Sequence, residues 1–549
     1  MPNDHVPNRR QFLAESAAFT ALVLAGCAPA IRAPGRRRFD LIIRGGTVFD
    51  GTGADGIERD VGIVNGRITA VSASLGDDAR DLIDARGLAV APGFIDIHSH
   101  ADDGLFVDPL AESVIRQGVT TVIVGQDGSS RAPIRPGEAG EPAYRTLREF
   151  FAAIDALPSA VNVASMVGLG TVRHVVVGDD DRPATPDELR RMTALVDAAL
   201  ADGACGASSG LEYIPGQFAP LGELIALSRP LAARRLPYAT HMRNEDDRLL
   251  DALDEAIAVA RGARCPLEVS HLKTEGQRNW NKIDDVLRRI GAARASGLDV
   301  TFDRYPYIAY QTDLGNLFPS WSKDGGTEAF VARLGKPDLA QRLRDAVAGK
   351  IQLLGGWDNV LISSVAASED RGVEGQRMGQ YASSIGRDPF DAAVGLLERS
   401  HGDVGMVGFA MSETNVERFL ADPLCTVCSD GGAVSISGPG RVGHPHPRSL
   451  GTFARILGHY VRERRVLTLP QAIHKMSAQT AARLRLGGRG HIATGYAADV
   501  VVFDPSTVQD RATFADPFQY AVGVSAVIVN GGIALRDGQR GRRTGRAIR

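Results

Sequence analysis

Gly93-Phe94-Ile95-Asp96-Ile97-His98-Ser99-His100 is an apolar run that ends in two histidines one residue apart, in a chain of 549 residues. Alternate side chains of a β-strand point to the same side, so the two imidazoles converge at the end of this predicted strand. Two neutral imidazoles that converge form half of a metal site. The other ligands are expected at the ends of later strands.

Seven more predicted strands end in polar residues. They end at Val124–Asp127, Val167–Gly170, Ser208–Leu211, Thr240–His241, Ser270–His271, Asp303–Tyr305 and Ser429–Asp430. Helical stretches at 186–201, 246–261 and 281–295 alternate with them, which indicates parallel βα units. The pattern predicts an α/β protein with a (β/α)8 TIM-type barrel, whose chemistry lies at the carboxyl ends of its strands.

Both ends of the chain have a different sequence pattern, in which short β segments are separated by turns rich in Gly and Asp. Residues 36–92 and 480–549 are therefore predicted to pair into one small β-sandwich domain. Residues 93–479 then form the barrel. A long stretch at about 312–422 separates the last two strands and is predicted to be an insertion that caps the barrel mouth.

The composition excludes several classes of protein. With 44% apolar and 23% charged residues and a net charge of −3, the chain is typical of a globular protein that does not bind nucleic acid. Its five cysteines do not form the framework of a small disulfide-rich domain. Cys425 and Cys428 lie in a strand-like run on opposite faces, so we expect them to be buried and inert.

Residues 1–35 are predicted to be an export signal and lipoprotein tether, not part of the fold. Arg9-Arg10-Gln11-Phe12-Leu13 resembles a twin-arginine signal, and Leu24-Ala25-Gly26-Cys27 resembles a lipoprotein box with Cys27 as the lipidated residue. The alternative is a simple cleaved signal, with Ala28-Pro29-Ala30 at its end. Either route predicts a periplasmic protein or a membrane-anchored lipoprotein, with any membrane contact made through the N-terminal anchor.

Six residues at the predicted strand ends are candidate metal ligands: His98, His100, Asp127, His241, His271 and Asp430. The set resembles the amidohydrolase superfamily, with His-x-His on strand one, His on strands five and six, and Asp on strand eight. It resembles most closely the N-acyl-D-amino-acid deacylase (D-aminoacylase) family. That resemblance covers nearly all of the mature chain. Its motifs include Gly118–Val122, Tyr238–Glu245, Val269–Lys273, Ser429–Gly431, His446–Arg448 and Gly451–Phe453.

Asp127 departs from the family pattern, which usually has a cysteine at this position on strand two. A lysine bridge, as in other amidohydrolases, is excluded on strands one to five because Lys273 is the first lysine of the chain. A carboxylate can join two cations with one oxygen each, so Asp127 is the predicted bridge. The alternative is a turn residue that supports Gly128. Zinc is the expected metal, as one or two ions, with another divalent metal possible.

The resemblance implies hydrolysis of a C–N amide bond by a metal-bound hydroxide, with Asp430 as the general acid and base. His241, His271 and Asp127 would hold the principal metal, and His98, His100 and Asp430 a second one. It also implies that Lys273, Tyr307 and Arg448 surround the α-carboxylate of the substrate, with Tyr213 near the scissile carbonyl. Alternatively, Lys273 and Arg448 are ion-pair partners at the barrel rim, and Tyr307 is a packing residue. Arg243 and Glu245 are predicted to support the metal ligands.

The expected substrate is an N-acyl-D-amino acid or a dipeptide with a C-terminal D-residue. A cyclic-amide hydrolase such as a dihydropyrimidinase or hydantoinase is the alternative enzyme, although those enzymes usually use the lysine bridge. A non-catalytic barrel that only binds is the alternative from another class. Such a protein is expected to have lost metal-binding residues, whereas all six candidate ligands are present here.

Overall fold

A computed structural model describes residues 38–134 and 144–549. The predicted export signal and Cys27 lie outside the described residues, so export and lipidation stay predictions. Within the described ranges, no helix combines the length and the apolar composition needed to cross a bilayer.

Eight strands of the central region pair in parallel and in chain order. The third strand is interrupted at Met166, so that its first part pairs with strand two and its second part with strand four. The strands are Phe94–Asp96, Val119–Val124, Asn162–Ser165 continued by Val167–Gly168, Ala207–Gly210, Tyr238–His241, Leu267–Val269, Val300–Arg304 and Cys425–Val427.

The barrel closes between its last and first strands, just beyond their ends. The Asp430 amide donates to the His98 carbonyl at 2.8 Å, and the His100 amide donates to the Gly431 carbonyl at 2.9 Å. On strand one, the buried carboxylate of Asp96 accepts from the Ser429 amide at 2.8 Å. The predicted (β/α)8 barrel is confirmed, and its seam runs between candidate metal ligands.

Helices cover the outside of the barrel and pack on one large apolar core. Pro186–Ala201 forms a helix with the predicted bounds. The helices predicted at 246–261 and 281–295 are Leu249–Ala263 and Ile283–Ala295, which begin three and two residues later than predicted. The barrel helices are Ala101–Val107, Glu112–Ile115, Leu147–Ala156, Leu169–Val176, Pro186–Ala201, Leu221–Arg234, Leu249–Ala263, Ile283–Ala295, Glu413–Ala421, Arg448–Arg455, its π-helical continuation Ile456–Glu463, Leu469–Met476 and Ala478–Arg483.

Both chain ends contribute strands to one nine-stranded sheet, so the predicted pairing of the two ends is confirmed. Along Val500–Phe503, Val500 and Val502 join the core of this sheet, while Val501 and Phe503 pack on the barrel core. The bounds of the domain, 36–92 with 480–549, stay a prediction. The strands are Phe39–Val48, Ile57–Val64, Arg67–Ser72, Ala79–Asp84, Ala89–Pro92, Val500–Phe503, Val524–Val529, Gly532–Arg536 and Gln539–Arg540.

The last residues of the chain return to the barrel. Val163, on strand three, pairs in parallel with Ala547. Its amide donates to the Arg546 carbonyl at 3.0 Å, and its carbonyl accepts from the Ile548 amide at 2.8 Å. The Arg549 side chain is paired with Asp155 at 2.6 Å. The C-terminal segment is therefore built into the amino-terminal end of the barrel.

The insertion between strands seven and eight has its own antiparallel sheet, and its apolar side chains share one core cluster with residues of the barrel strands. The sheet begins at Ala309, slightly before the predicted start at 312. Helix Glu413–Ala421, inside the predicted range, packs on the barrel core through Val416 and Phe419. The insertion comprises strands Ala309–Asp313, Val360–Val365 and Val404–Phe409 and helices Gly326–Leu334, Pro337–Leu354, Met378–Ser384 and Pro389–Arg399.

Candidate metal centre

The six candidate ligands meet at the carboxyl ends of the barrel strands. Three of them, Asp127, His271 and Asp430, lie in the left-handed backbone region, with φ of 51°, 35° and 51°. Non-glycine residues adopt this region at a cost of about 1–3 kcal/mol, and residues strained in this way often cluster at functional sites. The strand ends therefore turn sharply where these side chains enter the barrel mouth.

Hydrogen bonds hold each of these turns. The His271 amide donates to the buried Asp303 carboxylate at 2.8 Å, and the Asp430 amide donates to strand one. Beside Asp127, the Gly128 amide donates to the Ser208 hydroxyl at 3.1 Å. These contacts fix the direction of each ligand before any cation binds, which lowers the cost of organising the site.

One ligand group consists of His98, His100, Asp127 and Asp430. The Nε2 atom of His100 lies 3.4 Å from Asp127 Oδ2 and 3.2 Å from Asp430 Oδ1. The Nε2 atom of His98 lies 3.4 Å and 3.6 Å from the same two atoms. Two imidazole nitrogens and two carboxylate oxygens thus surround one point, as a divalent cation requires.

A second ligand group consists of Asp127, His241 and His271. His271 Nε2 lies 3.4 Å from both carboxylate oxygens of Asp127, and 3.1 Å from His241 Nδ1. Asp127 is the only member shared by the two groups found among the described residues. A carboxylate in this position can give one oxygen to each of two cations.

Unsatisfied buried atoms show that the residues fit a metal. His98 Nδ1 and Nε2, Asp127 Oδ1 and His241 Nε2 are buried without a hydrogen-bond partner. Buried polar atoms are nearly always paired, so a cluster of unpaired nitrogens and oxygens needs another partner. A set of imidazoles and carboxylates at this spacing suits zinc best.

Glu245 supports the centre from behind. Its Oε1 atom lies 3.3 Å from His271 Nδ1, the nitrogen opposite the one that faces Asp127. Its Oε2 atom accepts a hydrogen bond of 2.5 Å from the Lys273 ammonium. The Lys273 ammonium also lies 2.7 Å from His271 Nδ1, so Glu245 and Lys273 together hold the His271 ring from the side away from Asp127. Arg243, the other predicted support, instead pairs with Glu255 at 2.8 Å.

The centre opens into a cavity of about 910 Å³ between the barrel and the insertion. Lys273, Arg448 and Tyr213 line it. The ammonium of Lys273 and the guanidinium of Arg448 lie 5.9 Å and 5.0 Å from the centre of the Tyr305 ring, so both positive groups flank this ring. Arg448 Nη1 also donates to Asp430 Oδ2 at 2.6 Å.

Tyr307 does not reach the cavity wall. Its hydroxyl donates to the Pro447 carbonyl at 3.4 Å, and its ring packs edge-on against His446. Tyr305 lines the cavity instead, with a buried hydroxyl that has no hydrogen-bond partner. The sequence Tyr305-Pro306-Tyr307 alone gives no reason to prefer one of the two tyrosines as the residue that lines the cavity, so Tyr305 was missed. The packing alternative for Tyr307 agrees with the structure.

Tyr213 packs on the metal centre, with its ring 4.7 Å from that of His241. Burial, together with the negative charge of Asp127, raises the pKa of the Tyr213 hydroxyl well above its usual value. The phenol is therefore a hydrogen-bond donor at neutral pH. Its position above the ligands suits contact with a substrate carbonyl.

Comparison with known proteins identifies the family. The model of the amidohydrolase family matches residues 81–306 and 414–534. A D-aminoacylase of Alcaligenes xylosoxydans xylosoxydans is 36% identical over 90% of this chain and 94% of its own length. The chain belongs to the amidohydrolase family. The gap between the two matched ranges contains nearly all of the insertion.

Two more relatives of this amidohydrolase act on acidic amino acids. An N-acyl-D-glutamate deacylase of Alcaligenes xylosoxydans xylosoxydans is 36% identical over 94% of this chain and 97% of its own length. The crystal structure of an N-acyl-D-glutamate deacylase from Bordetella bronchiseptica, with zinc and a phosphonate inhibitor that mimics the tetrahedral intermediate, aligns with a TM-score of 0.80. It is 35% identical and covers 93% of this chain and 99% of its own.

Proposed function

We propose that this amidohydrolase uses zinc to hydrolyse the amide bond of N-acyl-D-amino acids. The observation that carries the proposal is the pair of ligand groups that share Asp127, directly beside Lys273 and Arg448. The similarity to D-specific deacylases over nine-tenths of the chain supports the stereochemistry of the substrate. Dipeptides with a C-terminal D-residue contain the same bond and carboxylate and belong to the proposed substrate range.

Bound zinc supplies an acidified water and polarises the scissile carbonyl. The ligands would be His98, His100, Asp430, His241 and His271, with Asp127 between the two groups. Because Asp127 replaces the cysteine expected from the family, a hard carboxylate oxygen takes the place of a soft thiolate. Manganese is the main alternative to zinc at such a site.

Asp430 is placed to move the proton. Its Oδ1 atom faces the histidines of strand one, and its Oδ2 atom accepts from Arg448. As general base it would take a proton from the attacking water, and as general acid it would deliver this proton to the leaving nitrogen. The Arg448 contact, together with the nearby histidines, overcomes the effect of burial and holds the pKa of this carboxyl well below its usual range.

Lys273, Arg448 and Tyr305 would bind the α-carboxylate of the substrate. The two cations flank the Tyr305 ring at the cavity wall, and the partnerless Tyr305 hydroxyl can donate a third hydrogen bond. Guanidinium and ammonium groups are the usual partners of a carboxylate. The buried ion pairs Lys273–Glu245 and Arg448–Asp430 support the alternative role of these cations at the barrel rim.

We also propose that the protein is exported through its twin-arginine-like segment and tethered through Cys27. Both features lie in residues outside the described part of the chain, so the sequence motifs alone support this step. Replacement of Cys27 by Ser should release the protein from the membrane fraction into the periplasmic fraction. Recovery of the unchanged protein from the cytoplasm would contradict export.

The direct test is a substrate panel with the full chain after zinc loading. Release of free amino acid is measured from N-acetyl-D- and N-acetyl-L-amino acids and from L,D-dipeptides, and ring opening to the N-carbamoyl acid is measured from hydantoin and dihydrouracil. We expect turnover of D-substrates and none of the L-enantiomers. Turnover of the cyclic amides alone would favour a hydantoinase, and a metal-free protein that is inactive on all of them would favour a binding protein.

A further inference from the structure

Two residues of the insertion, Thr312 and Asn316, connect the buried cation Lys323 to Tyr213. Thr312 lies on strand Ala309–Asp313, and Asn316 and Lys323 lie in two short helical turns, Leu314–Leu317 and Ser320–Lys323. The Lys323 ammonium donates to Asn316 Oδ1 at 3.3 Å. Asn316 Nδ2 donates to Thr312 Oγ1 at 2.6 Å, and the Thr312 hydroxyl donates to the Tyr213 hydroxyl oxygen at 3.4 Å.

The direction of this chain follows from the chemistry of its first member. A lysine ammonium has three donors and no acceptor, so it must face the carbonyl oxygen of the Asn316 amide. The amide nitrogen then points to Thr312, whose proton is left to point to Tyr213. The Tyr213 oxygen already accepts a hydrogen bond, so its own O–H is free to donate into the cavity that it lines.

Lys323 is buried, and its ammonium donates a hydrogen bond to the Asn316 amide oxygen rather than to a carboxylate. The side chain is 8% exposed, and in the described part of the chain no salt bridge to it is found. Burial lowers the pKa of Lys323 to about 8, so the amine still carries its proton at neutral pH. A buried ammonium whose hydrogen bond goes to an amide polarises that amide, and each further hydrogen bond polarises the next.

We propose that Lys323, Asn316 and Thr312 are positioning residues that hold the Tyr213 hydroxyl as a donor to the oxyanion of the tetrahedral intermediate. Below, these three residues and Tyr213 are called the relay. The inference rests on the proposed function, since the oxyanion forms only if an acyl group is transferred to water. It gives the insertion a role in the chemistry in addition to covering the barrel mouth.

The 3.4 Å bond between Thr312 and Tyr213 is long, as is common for catalytic hydrogen bonds before substrate binds. Negative charge on the substrate oxygen draws the Tyr213 proton forward and makes the phenol oxygen a better acceptor for Thr312. The contribution of the relay should therefore appear in the transition state more than in the substrate complex. This predicts a loss in kcat with little change in KM.

The experiment is a double-mutant cycle on an N-acetyl-D-amino acid that the wild-type protein hydrolyses. Removal of one oxyanion donor typically costs about 100-fold or more in kcat, which is the loss expected for Tyr213→Phe. Thr312→Val and Lys323→Met should each lower kcat by about 10-fold, because each removes part of the same effect. KM should change by less than about twofold in either variant. In the Tyr213→Phe background, Thr312→Val should have almost no further effect.

Conservative variants and a control separate positioning from folding. Thr312→Ser and Lys323→Arg keep a hydroxyl and a cation and should restore most of kcat. Thr193→Val removes a half-buried hydroxyl from the distant helix Pro186–Ala201 and should leave kcat unchanged. A phosphonate mimic of the tetrahedral intermediate should bind the relay variants more weakly in proportion to their loss of kcat/KM, with unchanged metal content.

Two results would overturn the relay while leaving the proposed function intact. One is an equal loss from Thr312→Val with and without the Tyr213 hydroxyl. The other is a loss confined to KM or to thermal stability. A wild-type protein that hydrolyses no N-acyl-D-amino acid would overturn the proposed function and, with it, the relay.

Discussion

Asp127 links the two halves of the candidate metal centre. Its carboxylate faces His98, His100 and His271, and its backbone is held in the left-handed region. Asp127 places short oxygen ligands among these imidazoles, and a turn residue without a carboxylate would leave the imidazoles without this partner. The metal content of the protein therefore depends on this one side chain.

Replacement of Asp127 by Ala should lower the bound metal by at least one equivalent and kcat/KM by more than about 100-fold, since even loss of an outer support of a metal site costs about 10- to 100-fold. Metal analysis of purified protein and the deacylase assay measure both effects. The control is Asp103→Asn, which removes a 76%-exposed carboxylate at the rim of the same cavity. Full metal content in Asp127→Ala would favour the turn alternative.

Lys273 has two interpretations that one variant separates. If its ammonium binds the substrate carboxylate, Lys273→Met should lower kcat/KM for an N-acetyl-D-amino acid by about 10-fold or more relative to the corresponding amide, because a hydrogen bond to a charged group contributes about 1.5–3 kcal/mol. The measurement is the ratio of kcat/KM for the two substrates. Equal losses on acid and amide would mean that Lys273 acts only by holding Glu245.

The sequence was sufficient to predict that the six candidate ligands lie close together, because parallel strands end at the same face of a barrel, whatever the loops between them do. It was not sufficient for residues whose role depends on a turn. Glu245 was predicted as a support, but its contact with His271 in particular depends on the loop after His241. Tyr305 and Tyr307 differ only in how the chain bends at Pro306. Asp303 appeared as a strand end, without its bond to the His271 amide.

Helix Pro186–Ala201 shows how local signals fix the bounds of an element. Thr185 accepts from the Glu188 amide, Glu188 accepts from the Thr185 amide, and Pro186 occupies the first turn. This capping box satisfies two amides that the helix cannot pair internally, so the start of the helix could be read from four residues. The insertion lacks such regular alternation, which is why its antiparallel sheet was not foreseen.

Thr185→Ala should lower the free energy of unfolding by about 1 kcal/mol through loss of the cap, with kcat unchanged because the helix lies outside the barrel. Thermal unfolding followed by circular dichroism is the measurement. Thr193→Ala on the same helix is the matched control, and it should be neutral or slightly stabilising because alanine has the higher helix propensity. A similar loss in both variants would indicate that the cap contributes nothing specific.

At the scale of the whole molecule, a buried polar network joins the terminal sheet to the barrel. The Asp499 carboxylate pairs with the Arg489 guanidinium. It also accepts a hydrogen bond of 2.7 Å from the backbone amide of Asn530. The Asn530 side chain donates to Asn162, at the start of barrel strand three, at 2.7 Å. Arg489 and Asp499 are almost fully buried, so neither charge has water as a substitute partner.

Asp499→Ala should therefore destabilise the protein by about 3–5 kcal/mol, because it leaves the Arg489 charge buried and unpaired. We expect a large fall in the thermal midpoint, with normal kcat at low temperature since the network lies far from the metal centre. The control Asp187→Ala breaks a mostly exposed pair with Arg190 and should shift the midpoint far less. An unchanged midpoint for Asp499→Ala would show that the two regions are not coupled through this network.

Removal of the metal should also affect the whole barrel, since the six ligands come from five different strands. A cation that binds only the folded state at a free concentration 1,000 times its Kd stabilises that state by about 4 kcal/mol. Dialysis against a chelator should lower the thermal midpoint, and addition of zinc should restore it together with the activity. A midpoint independent of metal would contradict binding at this set of residues.

The pairing of Val163 with Ala547 has a consequence for biosynthesis. Strand three emerges from the ribosome several hundred residues before the segment that occupies its free edge. During translation this edge has to be shielded, by a chaperone or by transient contacts, until the segment around residue 547 is made. A polypeptide that lacks residues 546–548 would thus expose an uncovered strand, which is expected to cause aggregation or degradation.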